Sequence, residues 1–233
     1  MAFSLGSIIV ALHQYQANHK MAMVLASKII QVVILREVLR SDVEEGARAL
    51  LGCMLIKGTM KAQIVETEAY TWDDPGCHAY KKERMKNMAM FGEPGTAYVY
   101  FTYGNHWMVN VVADINGRAG AVLIRAAKPI EGLDEFRSNR PCIVKDRDLL
   151  AGPGRLTKAF GIDNNDNETD LLSGNGSISI EPACRVTTVG ISPRIGIAIG
   201  KGDDLLRRYV DLNNLEWVTK HRINAGLLGD KNF

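Results

Sequence analysis

Hydrophobic positions along the chain change their spacing several times, and each change marks an element. Val43, Ala47, Leu50 and Leu51 recur at helical intervals behind Ser41-Asp42-Val43-Glu44, which has the spacing of a capping box, and Gly52 ends the run. A short helix is expected there. Cys53 to Ile56 and Met60 to Val65 flank Lys57-Gly58-Thr59 and read as a hairpin whose second strand delivers Glu66-Thr67-Glu68-Ala69-Tyr70. Residues 71–95 hold Asp, Gly, Pro, Lys and Met without a period and read mostly as loop. Ala97 to Tyr103 and His106 to Ala113, separated by Gly104-Asn105, predict a second hairpin that Asn116-Gly117 ends. Ala121 to Ala126 predicts a further strand. Pro129 followed by Glu131 to Arg137 predicts a helix with proline in its first turn, and Gly152-Pro153-Gly154 precede a short helix at Leu156 to Phe160. Ser177 to Ile180, Ile195 to Ile199 and Leu205 to Val210 read as late strands. Strands outnumber helices and are joined by hairpins rather than crossovers. The expected fold class is therefore α+β: a single mixed domain around a mainly antiparallel β-sheet, with a protruding β-hairpin and peripheral helices.

The N-terminal stretch changes this picture little. Lys28 and Gln31 interrupt the apolar run Met21 to Leu35, so it falls short of the roughly 18 apolar residues of a membrane span. No cation precedes Ile8 to Leu12, which argues against a secretory leader. Residues 1–35 are read as an extension, helical or disordered, and 36–233 as the functional domain. A chain of 233 residues with 46% hydrophobic and 23% charged residues excludes wholesale disorder and suits one sizeable core. The net charge of +2 is too small for bulk electrostatics to announce a nucleic-acid partner, so such a surface has to be a local patch. Lys81-Lys82-Glu83-Arg84-Met85-Lys86 is the best candidate, although such a run is ordinarily a solvated face. Cys53, Cys77, Cys142 and Cys184 lie dozens of residues apart, form no short zinc-type pair, and read as reduced thiols.

Glu66 and Glu68 are two apart on one expected strand and should share a face. They could be an acid/base pair, part of a metal site, or solvated strand-end charges. Tyr70, again two residues on, would share their wall. Tyr98, Tyr100 and Tyr103, with Trp107 across the turn, read either as cross-strand packing or as flat surfaces for a ligand. Tyr103 directly precedes the Gly104-Asn105 turn, where little core is available to it. A tip aromatic beside a buried aromatic pair suits extraction of a nucleobase: one ring fills the vacated stack while others sandwich the extruded base. His78, Asn110 and Arg125, each taken alone, would be structural.

Taken together and in order, these segments resemble the alkyladenine (3-methyladenine) DNA glycosylase family. The resemblance runs through Gln63 to Tyr70, His78, Met90 to Gly104, Asn110 and Val122 to Ala126. It extends through Lys145 to Leu149, Gly152-Pro153, Pro193 to Gly196 and Arg207 to Val210, covering roughly Arg36 to Val210. The stretch between Tyr70 and His78 is one residue shorter than the family pattern. The resemblance implies a monofunctional enzyme that flips alkylated or deaminated purines out of duplex DNA and hydrolyses the N-glycosidic bond. The damaged bases it implies are 3-methyladenine, 7-methylguanine, hypoxanthine and ethenoadenine. It makes Glu68 the general base, with Arg125 and the backbone carbonyl of Ile195 holding the water. Tyr70 would stack on one face of the base and His78 and Tyr100 on the other, the His78 N–H would bond the base edge, and Asn110 would crowd a guanine 2-amino group. Tyr103 would intercalate. It implies no metal and no other cofactor. The partner would be double-stranded DNA containing damaged purines, and the enzyme an intracellular monomer without a membrane partner: cytoplasmic or nucleoid-associated in a prokaryote, nuclear in a eukaryote. Two rivals stand beside it: a catalytically silent nucleic-acid-binding module, and a metal-dependent nuclease using Glu66, Glu68, Asp73, Asp74 and His78.

Overall fold

The computed structural model describes residues 5–80, 85–102, 104–115, 118–183 and 185–229. Lys81 to Arg84, Tyr103, Asn116-Gly117 and Cys184 lie outside the described residues. The elements in chain order are α1 (Leu5–Ser41), α2 (Val43–Ala49), β1 (Met54–Lys57), β2 (Met60–Tyr70), β3 (Ala97–Thr102), β4 (His106–Ile115) and β5 (Arg118–Glu131). They continue with α3 (Leu133–Asn139), α4 (Pro153–Phe160), β6 (Ser179–Glu181), β7 (Val189–Ser192), β8 (Arg208–Asp211) and β9 (Leu228–Gly229). Every strand pairing is antiparallel, in the order β3-β4-β5-β2-β8-β7-β9, with β1 pairing both β2 and β6. The molecule is thus an α+β domain built on an antiparallel sheet, and both expected hairpins are present as β1–β2 and β3–β4.

The centre of the sheet is the pair β2–β5, and its register is irregular at the chemically interesting point. Ile64 pairs with Ala127 and Glu66 with Ala126, leaving Val65 as an extra residue on β2. Thr67 then pairs with Ile124, leaving Arg125 as an extra residue on β5. Each such bulge reverses the alternation of side chains. Before it, Met60, Ala62 and Ile64 face the main hydrophobic core. After it, Ala69 faces that core and the Thr67 hydroxyl donates to the Ala47 carbonyl of α2 at 2.8 Å. Val65 packs on the other side with Ala126, Val210 and Val218. The paired bulges therefore turn Glu66, Glu68 and Arg125 away from the apolar core, where unbroken alternation would have put the two carboxylates.

Several expected local details differ. The helix α2 is capped by Asp42, whose carboxylate accepts from the N–H groups of Glu44 and Glu45, while Ser41 closes α1 and bonds the Val38 carbonyl. Asp42 outcompetes Ser41 because α1 runs on through it. Pro129 lies in β5 opposite Ala62, and the following helix starts only at Leu133, behind Gly132 in the left-handed region. The proline that does open a helix is Pro153, at the start of α4. Ile195 to Ile199 forms no strand: Gly196, at φ 86°, turns the chain, and the neighbouring strand is Val189–Ser192 instead. Helix α1 runs without a break across residue 35. Leu35 and Leu39 join the core, whereas Met21, Val24, Ile29, Ile30, Val33 and Ile34 are exposed. No helix among the described residues is long and apolar enough to cross a membrane.

Candidate active site

Glu66 and Glu68 are both fully buried, so the solvated-charge reading does not hold. Arg125, projected from its bulge, answers both: its Nε donates to Glu66 Oε1 at 2.9 Å and its Nη1 to Glu68 Oε2 at 3.1 Å. Glu66 also accepts from Arg208 Nε at 2.7 Å and from the Thr219 N–H at 2.7 Å. Burial by itself raises the Glu66 pKa, but the charges of Arg125 and Arg208 and these bonds outweigh it, and the carboxyl stands below its ordinary value. Arg125 is desolvated, and its two carboxylate partners nevertheless hold it firmly protonated. Two carboxylates against two guanidiniums leave no net buried charge, the condition under which such a cluster is tolerated.

Glu68 takes two further donors: the Tyr70 hydroxyl to Oε2 at 2.8 Å and the Ile195 N–H to Oε1 at 2.8 Å. A carboxylate offers about four acceptor positions. Among the described residues three are filled, and the remaining one is on Oε1. The carboxylate lies beneath Tyr70, Arg125 and Ile195, and those three line a cavity of about 370 Å³. The structure thus reaches Ile195 through its N–H.

His78 and Tyr100 stand in the same cavity with ring centroids 4.5 Å apart, and Tyr98, behind them, bonds His78 Nδ1 through its hydroxyl at 3.0 Å. Partial burial of the imidazole lowers its pKa, which favours the neutral ring. Asn110 lines the cavity too and is fixed by donating to the Tyr98 carbonyl at 3.0 Å. Tyr70, His78, Tyr100, Asn110, Arg125 and Ile195 are therefore all brought to one cavity, with Glu68 behind its wall. Tyr103 lies outside the described residues. Sequence reasoning gave no role to Met90, Met108 or Leu123, which supply apolar lining, nor to Arg208, which bonds Glu66, and Arg194, which packs over the Tyr70 ring. Of these, Arg208 carried a signal, as a charge inside the strand-like run Leu205 to Val210.

The five residues of the metal-nuclease reading do not converge. Asp74 is engaged by Arg194, and Asp73 accepts from the Thr71 hydroxyl at 2.7 Å. Among the described residues no three His, Cys, Asp or Glu side chains are grouped to hold a metal ion.

A second, basic cleft adjoins the cavity and shares Met108 and Pro153 with it. Its walls carry His106, Arg140, Arg155, Lys158 and Lys220. Its carboxylate, Asp148, accepts from Lys220 at 2.6 Å. Partial burial, and after it the like charge of Arg155, lower the Arg140 pKa.

A family profile described as methylpurine-DNA glycosylase matches residues 37–214. The chain belongs to this family. Methylpurine-DNA glycosylases hydrolyse N-glycosyl bonds in DNA, so this member is a DNA glycosylase with DNA as its substrate. A relative from Carboxydothermus hydrogenoformans is 42% identical over 191 residues, 79% of this chain and 97% of its own length. One from Rubrobacter xylanophilus is 41% identical over 181 residues, 76% of this chain and 92% of its own. One from Chlorobaculum parvum is 42% identical over 159 residues, 66% and 76% respectively. All three bear the name "Putative 3-methyladenine DNA glycosylase". For this glycosylase the match starts inside α1, leaving the first 36 residues unmatched.

Proposed function

We propose that this glycosylase excises alkylated and deaminated purines, 3-methyladenine foremost, by direct attack of a Glu68-activated water. The observation that carries the reading is the aromatic cavity whose deep wall is backed by a carboxylate that receives three hydrogen bonds and gives none. Cleavage of an N-glycosidic bond develops positive charge on the sugar. A buried carboxylate stabilises that charge, and the remaining acceptor position on Oε1 takes the water proton. Arg125 and the Ile195 backbone carbonyl are assigned to hold the water. Tyr70 stacks on one face of the base and His78 and Tyr100 on the other. The neutral imidazole carries no charge to repel a cationic alkylated purine. The His78 N–H meets the base edge, Asn110 excludes the 2-amino group of guanine, and Tyr103 fills the gap in the duplex. The damage itself activates the leaving group, so no metal or other cofactor is assigned, and among the described residues no lysine lines the cavity to act as an amine nucleophile. The basic cleft supplies the phosphate contacts, and the enzyme acts as a monomer on double-stranded DNA.

The full burial of Glu68 favours a second reading, a silent module that binds damaged DNA without excision. Duplexes bearing a single 3-methyladenine, 7-methylguanine, hypoxanthine or ethenoadenine decide between them. The expected outcome is a strand break at the lesion that appears only after alkali. Binding without any break refutes the excision reading, and a break without alkali that chelator abolishes supports the nuclease.

A further inference from the structure

Arg194 is the most heavily engaged side chain near the cavity that does not face it. Its side chain and that of Asp74 have no exposed surface. Its Nη2 donates to Asp74 Oδ1 at 2.9 Å and to the Gly202 carbonyl at 3.1 Å. Its Nη1 donates to Asp74 Oδ2 and, at 3.0 Å, to the carbonyl of Ala69 at the end of β2. Its guanidinium carbon lies 4.5 Å from the centre of the Tyr70 ring. The next residue, Ile195, sends its N–H to Glu68. Asp74 in turn accepts the Gly76 N–H at 2.8 Å, its carbonyl accepts from Cys77, and Arg207 Nη1 stands 3.5 Å from Oδ2. Burial opposes the Arg194 charge, but the bonds and charge of Asp74 raise its pKa above the ordinary value.

Four pieces of chain meet at this pair: the end of β2, the loop carrying His78, the segment at Ile195 to Ile197, and the turn at Gly202. Neither the His78 loop nor the Ile195 segment belongs to a strand, so no ladder of backbone bonds fixes them against the sheet. A planar guanidinium with five donors in a rigid fork can bridge such segments, which a lysine ammonium cannot do. The surroundings are shaped for it. A Cβ on Gly76 would come within 3.3 Å of Arg194 Nη2 and 3.2 Å of Asp74 Oδ1, and one on Gly202 within 3.2 Å of both.

We propose that Asp74 and Arg194 form a positioning clamp for excision, which sets the Tyr70 ring from behind and delivers the Ile195 N–H to Glu68. The inference rests on the excision reading above. Neither residue touches the base. Both act through Tyr70, through Ile195 and through the loop that presents His78.

The test compares Arg194→Lys and Asp74→Asn with the wild type on duplex containing 3-methyladenine and on undamaged duplex. Single-turnover excision at saturating DNA, normalised to the folded fraction, is read beside amide hydrogen exchange. For Arg194→Lys we expect excision to fall about 10- to 100-fold, the scale of a misplacement near one ångström. Affinity for undamaged duplex stays unchanged, and exchange rises together in residues 71–80 and 195–205 but not in β4. Asp74→Asn, which keeps an acceptor oxygen, loses less. Wild-type excision by folded Arg194→Lys overturns the clamp, as does faster exchange confined to one of the two segments. If the wild-type enzyme itself releases no 3-methyladenine, the excision reading fails instead.

Discussion

Helix α1 between Met21 and Ile34 and strand β2 between Glu66 and Glu68 invert the usual relation of polarity to burial. The helix presents Met21, Val24, Ile29, Ile30 and Val33 to solvent, whereas Glu66, Thr67 and Glu68 have no exposed surface at all. Residue type is the same information in both places, and what differs is the company. The strand charges find Arg125 and Arg208 within hydrogen-bond distance, and the first part of the helix precedes the region where Leu35 and Leu39 reach the core. Buried charge therefore marks the place where the fold has invested several chain segments at once, and exposed apolar surface on α1 marks a place where it has not.

This contrast breaks most visibly if Glu68 proves dispensable. Glu68→Gln is expected to lower single-turnover excision by about 10²–10⁴-fold, the usual worth of a general base, while lesion-duplex binding stays near wild type. Near-normal excision by the variant would mean that the buried carboxylate only balances Arg125. Glu66→Ala sharpens the structural side. It leaves Arg125 and Arg208 with one carboxylate fewer, and removing one partner of a buried ion pair costs about 3–5 kcal/mol. Urea denaturation reads this directly, and a loss below about 1 kcal/mol would mean that water substitutes freely for the carboxylate.

Asn110→Ala tests the pocket rather than the ion cluster. The missing amide opens room for a 2-amino group, so excision of 7-methylguanine relative to hypoxanthine should rise by about tenfold, the lower end of what a small change in pocket shape gives. The ratio is the measurement, because the unpaired Tyr98 carbonyl can weaken overall activity. An unchanged ratio removes Asn110 as the gate. The smallest effect is expected at the other pole. Ile30→Gln with Val33→Gln should change stability by no more than about 0.5 kcal/mol and leave excision intact, as exposed substitutions do. A larger loss would show that this face of α1 is covered in solution.

Much of the local structure could be read from the chain. The turns at Gly58 and Gly104 fixed both hairpins, since each of these glycines adopts a positive φ that side chains resist. The spacing of Glu66, Glu68 and Tyr70 placed them on one face, and the resemblance of the long ordered motifs pointed to the family. Pro129 misled because a proline at the end of a strand and one at the start of a helix look alike until the neighbouring chain is known. Ile195 to Ile199 misled because its apolar residues resemble a strand, while Ile195 and Ile197 serve as lining for the cavity.

What the sequence determined alone were features decided within a few residues: turn chemistry, period and the type of each side chain. Which way the carboxylates face was decided only in three dimensions. The extra residues Val65 and Arg125 reveal themselves only when β2 and β5 are paired, and that pairing turns the acids away from the apolar core. Their partners come from far along the chain, with Arg125 separated from Glu66 by 59 positions, Arg208 by 142 and Thr219 by 153. A buried charge is tolerable only where such distant donors converge, and no local pattern encodes that convergence.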